Sequence, residues 1–443
     1  MKLFSPRSAC LATLLVALSA CGAPRDIPLT GQRLDPRAGL ASAPAAQAVE
    51  NQSVAINLGQ QVSRSAWTHI GGTYLHDAGH NAFTSGTPAL AWTAPIGQGE
   101  NRRRRLTVNP VAAAGLVFAM DAGTRLSAVS ATTGQLAWSA DLTPPEENEG
   151  DATGGTLAIS GDTLFATTGF GELVALDLGT GRERWRQRLD AAGAAGLAVR
   201  DGLAYVVGAD ARVWAIDTAN GRVKWQISGP ATLASRTGAA SPAITDQFAL
   251  VPFAAGDLYG LFRKGGVQLW QATLAGQRAG AVYANTSDIT GDPVVSGGTV
   301  YMGNQSGRFA AFDAQSGVRL WSAKEGAYSP AAVVGGSVFI VTDQNQLVRL
   351  RASDGARVWG VQMPLFTTDK PRRLKEVFAH FGPVAAGGRL WVASSDGVLR
   401  GFSPQSGALI SQVSLPAPAA SDPIVVGGVM YLLLSNGEIA ALR

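Results

Sequence analysis

Most of this chain is built from one short pattern, a Gly that precedes a Trp by four residues. Six copies have both residues: Gly134/Trp138, Gly181/Trp185, Gly221/Trp225, Gly266/Trp270, Gly317/Trp321 and Gly355/Trp359. A seventh copy, Gly407/Ser411, lacks the Trp, and successive copies lie 38 to 52 residues apart. This period is typical of the four-stranded blades of a β-propeller. Because one blade cannot bury its apolar faces alone, the repeats must stack on one another, and they predict the fold before any other motif does.

Short apolar runs alternate with turn residues inside the repeats. Val300–Met302, Val338–Ile340 and Leu390–Val392 are almost entirely apolar, as expected of strands in a sheet that is buried on both faces. Gly, Asn and Asp, which adopt positive φ at little cost, separate the runs. The 54 glycines among 443 residues exceed the usual share of about 7%. The sequence therefore indicates an all-β protein with many tight hairpins.

The two ends of the repeat array complement each other. The chain stops after Gly437–Arg443, a third strand with no Gly–Trp strand behind it, whereas Leu90–Trp92 matches Leu136–Trp138 near the other end. We therefore expect the strand of residues 87–94 to complete the last blade, so that the ring has no exposed sheet edge at its seam. The prediction is an eight-bladed β-propeller of four antiparallel strands per blade over residues 61–443, closed by this N-terminal strand. Seven blades are the alternative.

The Trp residues of the pattern are interpreted as structural. A Trp wedged between two blades buries about 150–250 Å² of surface. No Trp in the sequence is followed by Asp, so the WD dipeptide that marks WD40 propellers is absent. The predicted docking residues are Trp92, Trp138, Trp185, Trp225, Trp270, Trp321 and Trp359.

Residues 1–20 form a predicted signal peptide, with a basic start and an apolar run too short to span a bilayer. The signal ends in Leu18–Cys21, which resembles a bacterial lipobox, and Cys21 is the predicted lipidation site. The resemblance implies an outer-membrane lipoprotein that faces the periplasm, since Gly22 rather than Asp follows the Cys. Cys10 lies inside the signal, so the mature chain has no second Cys for a disulfide.

Two further segments precede the ring. Residues 21–60 are rich in Ala and Pro near their start, and we interpret them as a flexible tether. Residues 61–86 are an N-terminal extension of the propeller, in which Trp67, Tyr74 and Phe83 are able to dock on the ring.

The charge balance argues against nucleic acid as a partner. The chain has 36 Lys and Arg against 32 Asp and Glu, and removal of the signal with Lys2 and Arg7 leaves 34 basic residues. A nearly neutral body has no overall field that recruits a polyanion.

The repeat, in the form Ala-x-Asp-x-x-(Thr/Ser)-Gly-x-x-x-Trp, is similar to that of pyrroloquinoline-quinone (PQQ) enzymes and their non-enzymatic relatives. Together with the lipobox and the eight copies, the chain resembles the BamB family of outer-membrane assembly lipoproteins over about residues 60–443. The resemblance implies a scaffold without catalytic residues, cofactor or metal. It also implies binding to the periplasmic POTRA repeats of a BamA-like protein and assistance to nascent outer-membrane β-barrel proteins.

Two loops carry the partner contacts in that family, and the resemblance extends to both. The first follows the Trp225 strand and contains Leu233, Ser235 and Arg236, of which the Leu and the Arg match the family pattern and the Ser departs from it. The second follows the Trp270 strand. There Asp288 matches, Thr290 replaces an expected Asp, and Asp292 lies close enough to substitute for it. An apolar anchor beside opposite charges suits a protein interface.

Two other function classes remain as alternatives. One is a PQQ-dependent dehydrogenase, whose family holds quinone and calcium at the propeller axis. Those enzymes typically have a vicinal Cys pair, whereas the mature chain has one Cys, and the sequence has no clear calcium-loop pattern. The other alternative is a lipoprotein that binds envelope polysaccharide.

Three further segments attract attention without indicating a chemistry. His69, His76 and His80 lie close together, but nothing predicts a helix that would bring them onto one metal, so a loop is the favoured interpretation. The basic run Arg102–Arg105 is interpreted as a solvated face or a contact at the channel. The long connection Pro364–Phe381 has no assigned role.

Overall fold

Nearly every described residue after Leu90 belongs to a strand or to a connection between strands. The structure is a computed structural model, and it describes residues 50–148, 151–191, 195–230, 240–274, 276, 278, 289–368, 370 and 376–443. Among these residues a single 3₁₀ turn, Ile70–Gly72, is the one helical element. The described part of the chain has no helix of sufficient length and hydropathy to cross a membrane.

The described residues form thirty-two strands, numbered here in chain order. The first sixteen are β1 (Leu90–Pro95), β2 (Val111–Ala113), β3 (Leu116–Met120), β4 (Arg125–Ser130), β5 (Leu136–Asp141), β6 (Gly155–Ser160), β7 (Thr163–Thr168), β8 (Glu172–Asp177), β9 (Glu183–Arg188), β10 (Gly196–Arg200), β11 (Leu203–Val207), β12 (Arg212–Asp217), β13 (Val223–Ser228), β14 (Ala243–Ile244), β15 (Phe248–Pro252) and β16 (Asp257–Phe262). The others are β17 (Gln268–Thr273), β18 (Val294–Ser296), β19 (Thr299–Gly303), β20 (Phe309–Asp313), β21 (Arg319–Ala323), β22 (Ala332–Val334), β23 (Ser337–Val341), β24 (Gln346–Arg351), β25 (Arg357–Gln362), β26 (His380–Ala386), β27 (Arg389–Ser394), β28 (Val398–Phe402), β29 (Leu409–Ser414), β30 (Ile424–Val426), β31 (Val429–Leu434) and β32 (Glu438–Leu442).

The strands form eight antiparallel sheets of four, which confirms the predicted eight-bladed β-propeller. Blades 1 to 7 each contain four consecutive strands, from β2–β5 in blade 1 to β26–β29 in blade 7. Blade 8 has the order β1-β32-β31-β30, so its outermost strand comes from the start of the ring. Trp92 pairs with Ala441 and Pro95 with Glu438. The expected closure of the ring by the N-terminal strand is confirmed.

The apolar core lies between neighbouring blades. Phe118 and Leu126 of blade 1, for example, share one buried cluster with Leu157 and Leu164 of blade 2. Burial of such a side chain contributes roughly 1.5–3 kcal/mol. Because each blade is covered on both faces in this way, its strands have the continuous apolar runs noted in the sequence.

Each docking Trp packs against the turn Gly of the following blade. A Cβ on Gly181 would lie 2.4 Å from Cε3 of Trp138, and Gly181 has a φ of +70°, so both the space and the backbone require glycine there. The Trp138 Nε1–H donates to the carbonyl of Leu178 at 3.1 Å. The same packing joins Trp185 to Gly221, Trp225 to Gly266, Trp270 to Gly317, Trp321 to Gly355, Trp359 to Gly407, and Trp92 to Gly134 across the seam. The two residues of the pattern therefore meet across blade boundaries.

The copy that lacks its Trp lies where this packing has no partner. Ser411 is in β29 of blade 7, and blade 8 has no turn between its third and fourth strands because the fourth strand is β1. A Trp at this position would find no turn Gly to pack on. Trp391 of β27 is fully buried instead, and it packs edge-on against Phe83 with ring centroids 5.7 Å apart.

Residues 62–83, here called the hub segment, cross one end of the central channel. Trp67 exchanges two backbone hydrogen bonds with Ala112 of blade 1, at 2.7 and 2.9 Å. The innermost strand of a blade would otherwise leave edge N–H and C=O groups unpaired. Other contacts pair Thr68 O with Ile159 N, His69 Nε2 with Val199 N, Tyr74 O with Ile244 N, Leu75 O with Val295 N, Asn81 N with Ala385 O, and Arg64 O with Gly427 N. The hub segment is thereby bonded to seven blades.

The hub segment is stabilised internally by a tight turn and by the half-buried guanidinium of Arg64. A Cβ on Gly71, whose φ is +62°, would lie 2.5 Å from the carbonyl oxygen of His76, so this position requires glycine. Arg64 donates from Nη2 to the carbonyl of Ala78 at 2.6 Å and from Nε to Asn81 Oδ1 at 2.9 Å.

The two ends of the channel differ, and they are named here for what covers them. The hub face carries the hub segment and the turns between first and second strands, such as those at Gly387 and Gly427. The open face carries the connections from one blade to the next.

The end of the predicted tether lies against the ring. Residues 50–60 were assigned to the tether, but the Gln52 N–H donates to Val358 O at 3.0 Å and the buried guanidinium of Arg349 donates to Val54 O at 2.7 Å. These bonds hold the segment beside blades 6 and 7. The rest of the predicted tether and the signal lie outside the described residues.

Candidate functional site

A chamber of about 670 Å³ occupies the channel between the hub segment and the open face. Ile70 of the hub segment forms part of its floor, and Phe253, Phe378 and Phe381 contribute aromatic walls. Its volume lies within the range of about 300–1,000 Å³ that is usual for small-molecule sites.

The polar part of the chamber comes from a feature of the repeat. Asn109, Ser241, Asp292, Ser329 and Asp422 line the chamber, and each precedes a Pro at the start of an innermost strand. A residue before Pro is restricted to extended backbone, which places these side chains at equivalent positions around the axis. The fold thereby builds a ring of hydrogen-bonding groups, here called the polar ring.

Asp422 is the most extensively bonded member of the polar ring. Its Oδ1 accepts from Ser329 Oγ at 2.9 Å and from the Gly382 N–H at 2.6 Å. Its Oδ2 accepts from Asn109 Nδ2 at 3.2 Å. Burial nevertheless raises the pKa of Asp422, because these neutral donors replace water incompletely.

Asp292 is a second carboxyl in the polar ring, and it is 8% exposed. Its Oδ1 accepts from the Ser241 N–H at 2.5 Å. Burial raises the pKa of Asp292 to about 7, and the nearby Asp422 carboxyl adds to the rise. Asp292 therefore changes its charge near neutral pH.

This position differs from the one expected for Asp292 in the sequence. The family resemblance predicts that Asp292 and Thr290 lie on a loop that contacts a protein partner. Asp292 instead lies inside the chamber, and Thr290 also lines it and donates from Oγ1 to Ala327 O at 2.8 Å. The physical reason is Pro293, which places Asp292 at the start of an innermost strand and so inside the ring.

The other predicted partner residues, Leu233, Ser235, Arg236 and Asp288, lie outside the described residues, as does Cys21. The elements that flank their loops are described. Residues 231–239 connect β13 to β14, and residues 279–288 belong to the connection from β17 to β18. Both connections join consecutive blades, so both start and finish on the open face.

The three clustered histidines have buried positions in the hub segment, with exposed fractions of 1 to 7%. They bond to separate parts of the ring. His69 Nε2 accepts from the Val199 N–H at 2.9 Å, and His80 Nε2 accepts from the Gly388 N–H at 3.0 Å. No group of three potential metal ligands occurs among the described residues. The histidines act as hydrogen-bonding links between the hub segment and the innermost strands.

His76 is the exception, because one of its ring nitrogens has no partner. Its Nδ1 lies 2.8 Å from the carbonyl of Pro293, whereas its Nε2 is buried without a hydrogen bond. The ring borders a void of about 40 Å³ that Asn109 and Asp422 also line. Asn109 and Asp422 of the polar ring line both this void and the chamber, so the two spaces adjoin there.

The basic run Arg102–Arg105 lies in the connection between β1 and β2, on the open face. Arg105 pairs with Glu100 at 3.2 Å, and 67% of its side chain is exposed. Such a surface pair contributes at most about 1 kcal/mol. The run is a solvated loop outside the chamber.

The chamber does not fit PQQ. The quinone carries three carboxylates and would need cationic partners, but the described residues that line the chamber include four Asp and neither Lys nor Arg. The described residues also lack a cluster that would hold calcium. No reaction step is derived through a quinone for this reason.

Comparison with known proteins relates the chain to one family. A sequence profile of the family described as outer membrane protein assembly factor BamB matches residues 122–361. The outer membrane protein assembly factor BamB of Yersinia pestis is 23% identical over 245 residues, which are 54% of this chain and 62% of that protein. The chain thus spans about three fifths of the length of that relative.

Two solved structures have the same overall architecture. BamB from Moraxella catarrhalis aligns with a TM-score of 0.67 at 20% identity, over 80% of this chain and 99% of that chain. Quinohemoprotein alcohol dehydrogenase from Comamonas testosteroni aligns with a TM-score of 0.63 at 14% identity, over 85% of this chain and 80% of that chain. At such identities the likeness shows the fold alone.

Proposed function

The chain belongs to the BamB family of outer membrane protein assembly factors, and we propose from this membership that it is a non-enzymatic scaffold of the β-barrel assembly machinery. In this role its open face binds the periplasmic POTRA repeats of a BamA-like protein. The clients that benefit are nascent outer-membrane β-barrel proteins.

The observation that supports this role most is the position of the strands that flank the two candidate loops. The flanking strands belong to blades 3 and 4 for the first loop and to blades 4 and 5 for the second, so the described ends of both connections lie in adjacent blades. A patch with an apolar anchor and opposite charges, held on a rigid ring, suits a protein interface. The proposed contacts are Leu233, Ser235, Arg236 and Asp288; Thr290 and the buried Asp292 are not included, because both line the chamber.

The proposed attachment to the outer membrane is through lipidated Cys21. The chain then enters the ring beside blades 6 and 7 and passes into the hub segment. A lipid-anchored body on the periplasmic side would meet the partner in the same compartment. The mismatch between the acidic chamber and an anionic quinone favours the scaffold over a quinoprotein dehydrogenase.

The proposal is tested by replacing Arg236 with Glu. Reversal of this charge should reduce capture of the purified POTRA repeats in a pull-down by about tenfold or more, as expected for loss of a central charged contact. Arg222→Glu is the matched control, because Arg222 is exposed in the turn between β12 and β13 on the hub face. Equal capture of the POTRA repeats by wild type and by Arg236→Glu would show that the binding surface is wrongly assigned.

A further inference from the structure

The base of the chamber contains hydrogen-bond acceptors that have no cation. Asp292 and Asp422 form no ion pair with any described Lys or Arg. The other two carboxylates of the lining differ, because Asp210 pairs with Arg212 and Asp343 with Arg278. A buried carboxylate that has neutral donors alone is destabilised relative to one with a counter-charge. The structure thus has two acidic groups at one place and no positive group to balance them.

A third acceptor lies beside them. The carbonyl of Pro293 can only accept, so the hydrogen bond at 2.8 Å requires the proton of the neutral His76 ring to be on Nδ1. The Nε2 atom of His76 is then a hydrogen-bond acceptor, and it has no donor even though the residue is only 1% exposed. A buried acceptor without a donor is rare in folded proteins and calls for a missing group.

The space at this acceptor limits the size of the missing group. The void between His76, Asn109 and Asp422 is about 40 Å³. One water occupies about 30 Å³ in the liquid. A compact group with several N–H donors suits the space, whereas a planar guanidinium is larger.

We propose that the base of the chamber binds the primary ammonium group of a small organic amine. The ammonium supplies three N–H donors and one positive charge, which Asp422 and the Nε2 of His76 accept at the base while Asp292 faces it from the chamber. The carbon chain of the ligand lies in the chamber, against Phe253 and Phe381. This inference does not depend on the proposed role in barrel assembly.

The site has a defined pH dependence. Burial raises the pKa of Asp292 to about 7, so its negative charge forms between pH 6 and pH 8. Burial also raises the pKa of Asp422. Burial lowers the pKa of His76 to about 4 and lowers that of His380, so both imidazoles are neutral in this interval. Asp210 and Asp343 remain paired with their arginines. An alkyl ammonium, with a pKa of about 10, stays charged, and its affinity should rise with pH.

Calorimetric titration of the full-length protein with 1,5-diaminopentane tests the proposal. We expect saturable binding at pH 8, weaker by about fivefold or more at pH 6, and none with the neutral 1,5-pentanediol. Asp422→Asn should weaken binding by about tenfold or more, since a charge-assisted hydrogen bond is lost. Asp354→Asn is the matched control, because Asp354 is an exposed carboxylate that pairs with Arg351 outside the chamber, and it should change affinity by less than about twofold.

Several results would overturn the proposal. Absence of binding to wild type at pH 8, or equal affinity in wild type and Asp422→Asn, each excludes an ammonium site. If Asp422→Asn does not fold, Asp292→Asn replaces it, and loss of the pH dependence in that variant is the expected result. A crystal structure grown with 1,5-diaminopentane that shows water alone at the base of the chamber would also exclude the site.

Discussion

The two ends of the central channel differ in how the polar groups of the innermost strands are bonded. At the hub face, the hub segment bonds to the innermost strands or first turns of seven blades. At the open face, the polar ring surrounds a chamber of about 670 Å³, and two of its carboxyls have no cation. The bonds at the hub face stabilise the ring, whereas the two carboxyls without a cation at the other end do not, so their presence needs another explanation.

The largest effect should come from removing the main anchor of the hub segment. Trp67 is 2% exposed and packs against Gly72 within the hub segment. Trp67→Ala should lower the free energy of unfolding by about 3–5 kcal/mol, the usual cost of a large-to-small change in a core. Guanidinium unfolding followed by fluorescence measures it. Val62→Ala, at a residue that is 51% exposed, is the control and should change stability by less than about 0.5 kcal/mol. A similar small loss for both variants would contradict the stabilising role of the hub face.

An effect of opposite sign is expected at the open end. The folded protein raises the pKa of Asp292 from 3.8 to about 7, so the neutral form is the stable one. The contribution of this group is fully present below about pH 4 and is lost as pH rises through 7. Asp292→Asn keeps an acceptor for Ser241 without the charge. It should therefore raise the free energy of unfolding at pH 8 by on the order of 2–3 kcal/mol relative to wild type.

The measurement for this variant is the free energy of unfolding from pH 5 to pH 8. Wild type should lose stability over this interval relative to Asp292→Asn. Parallel pH profiles of the two proteins would show that the carboxyl is not destabilised in the folded state. If the variant is more stable and has also lost the pH dependence of amine binding, the carboxyl that destabilises the fold is the one that binds the amine.

The smallest expected effect compares two asparagines at the two ends. Asn81 in the hub segment is 1% exposed, and its Nδ2 donates to Ala385 O at 3.1 Å. Asn81→Ala leaves that buried carbonyl with fewer donors and should lower stability by about 1–2 kcal/mol. Asn436, in the turn between β31 and β32 at the open face, is exposed, so water can replace its amide and Asn436→Ala should cost less than about 0.5 kcal/mol. Thermal unfolding of both variants ranks them, and the reverse order would refute the contrast between the ends.

The ring itself could be predicted because its signals repeat. The Gly and Trp of each copy contact each other across a blade boundary, so every pair reports the same geometry, and the Leu90–Trp92 match indicated the closing strand. Even the missing Trp at Ser411 has a structural reason in the absent turn of blade 8. A contact that recurs between many pairs of blades leaves a periodic pattern that can be recognised in a single sequence.

The hub segment could not be predicted in the same way. Its residues bond to seven different strands, each through a different local geometry, and therefore have no periodicity. The sequence favours a loop for His69, His76 and His80, and their bonds to distant strands have no sequence signal. The family resemblance predicts a partner loop for Asp292, whereas the structure places it inside the ring, at the same residue-Pro step that Asn109 and Asp422 have.

The order of segments along the chain has a mechanical consequence. The polypeptide reaches the hub segment before it forms β1, the strand that closes the ring through its pairing with β32. A force applied to the chain on the N-terminal side of the hub segment therefore acts first on hydrogen bonds to many blades, and only afterwards on the pairing of β1 with β32. In a chain anchored at Cys21, as proposed, tension from the membrane would therefore reach the hub segment before it reached the pairing of β1 with β32.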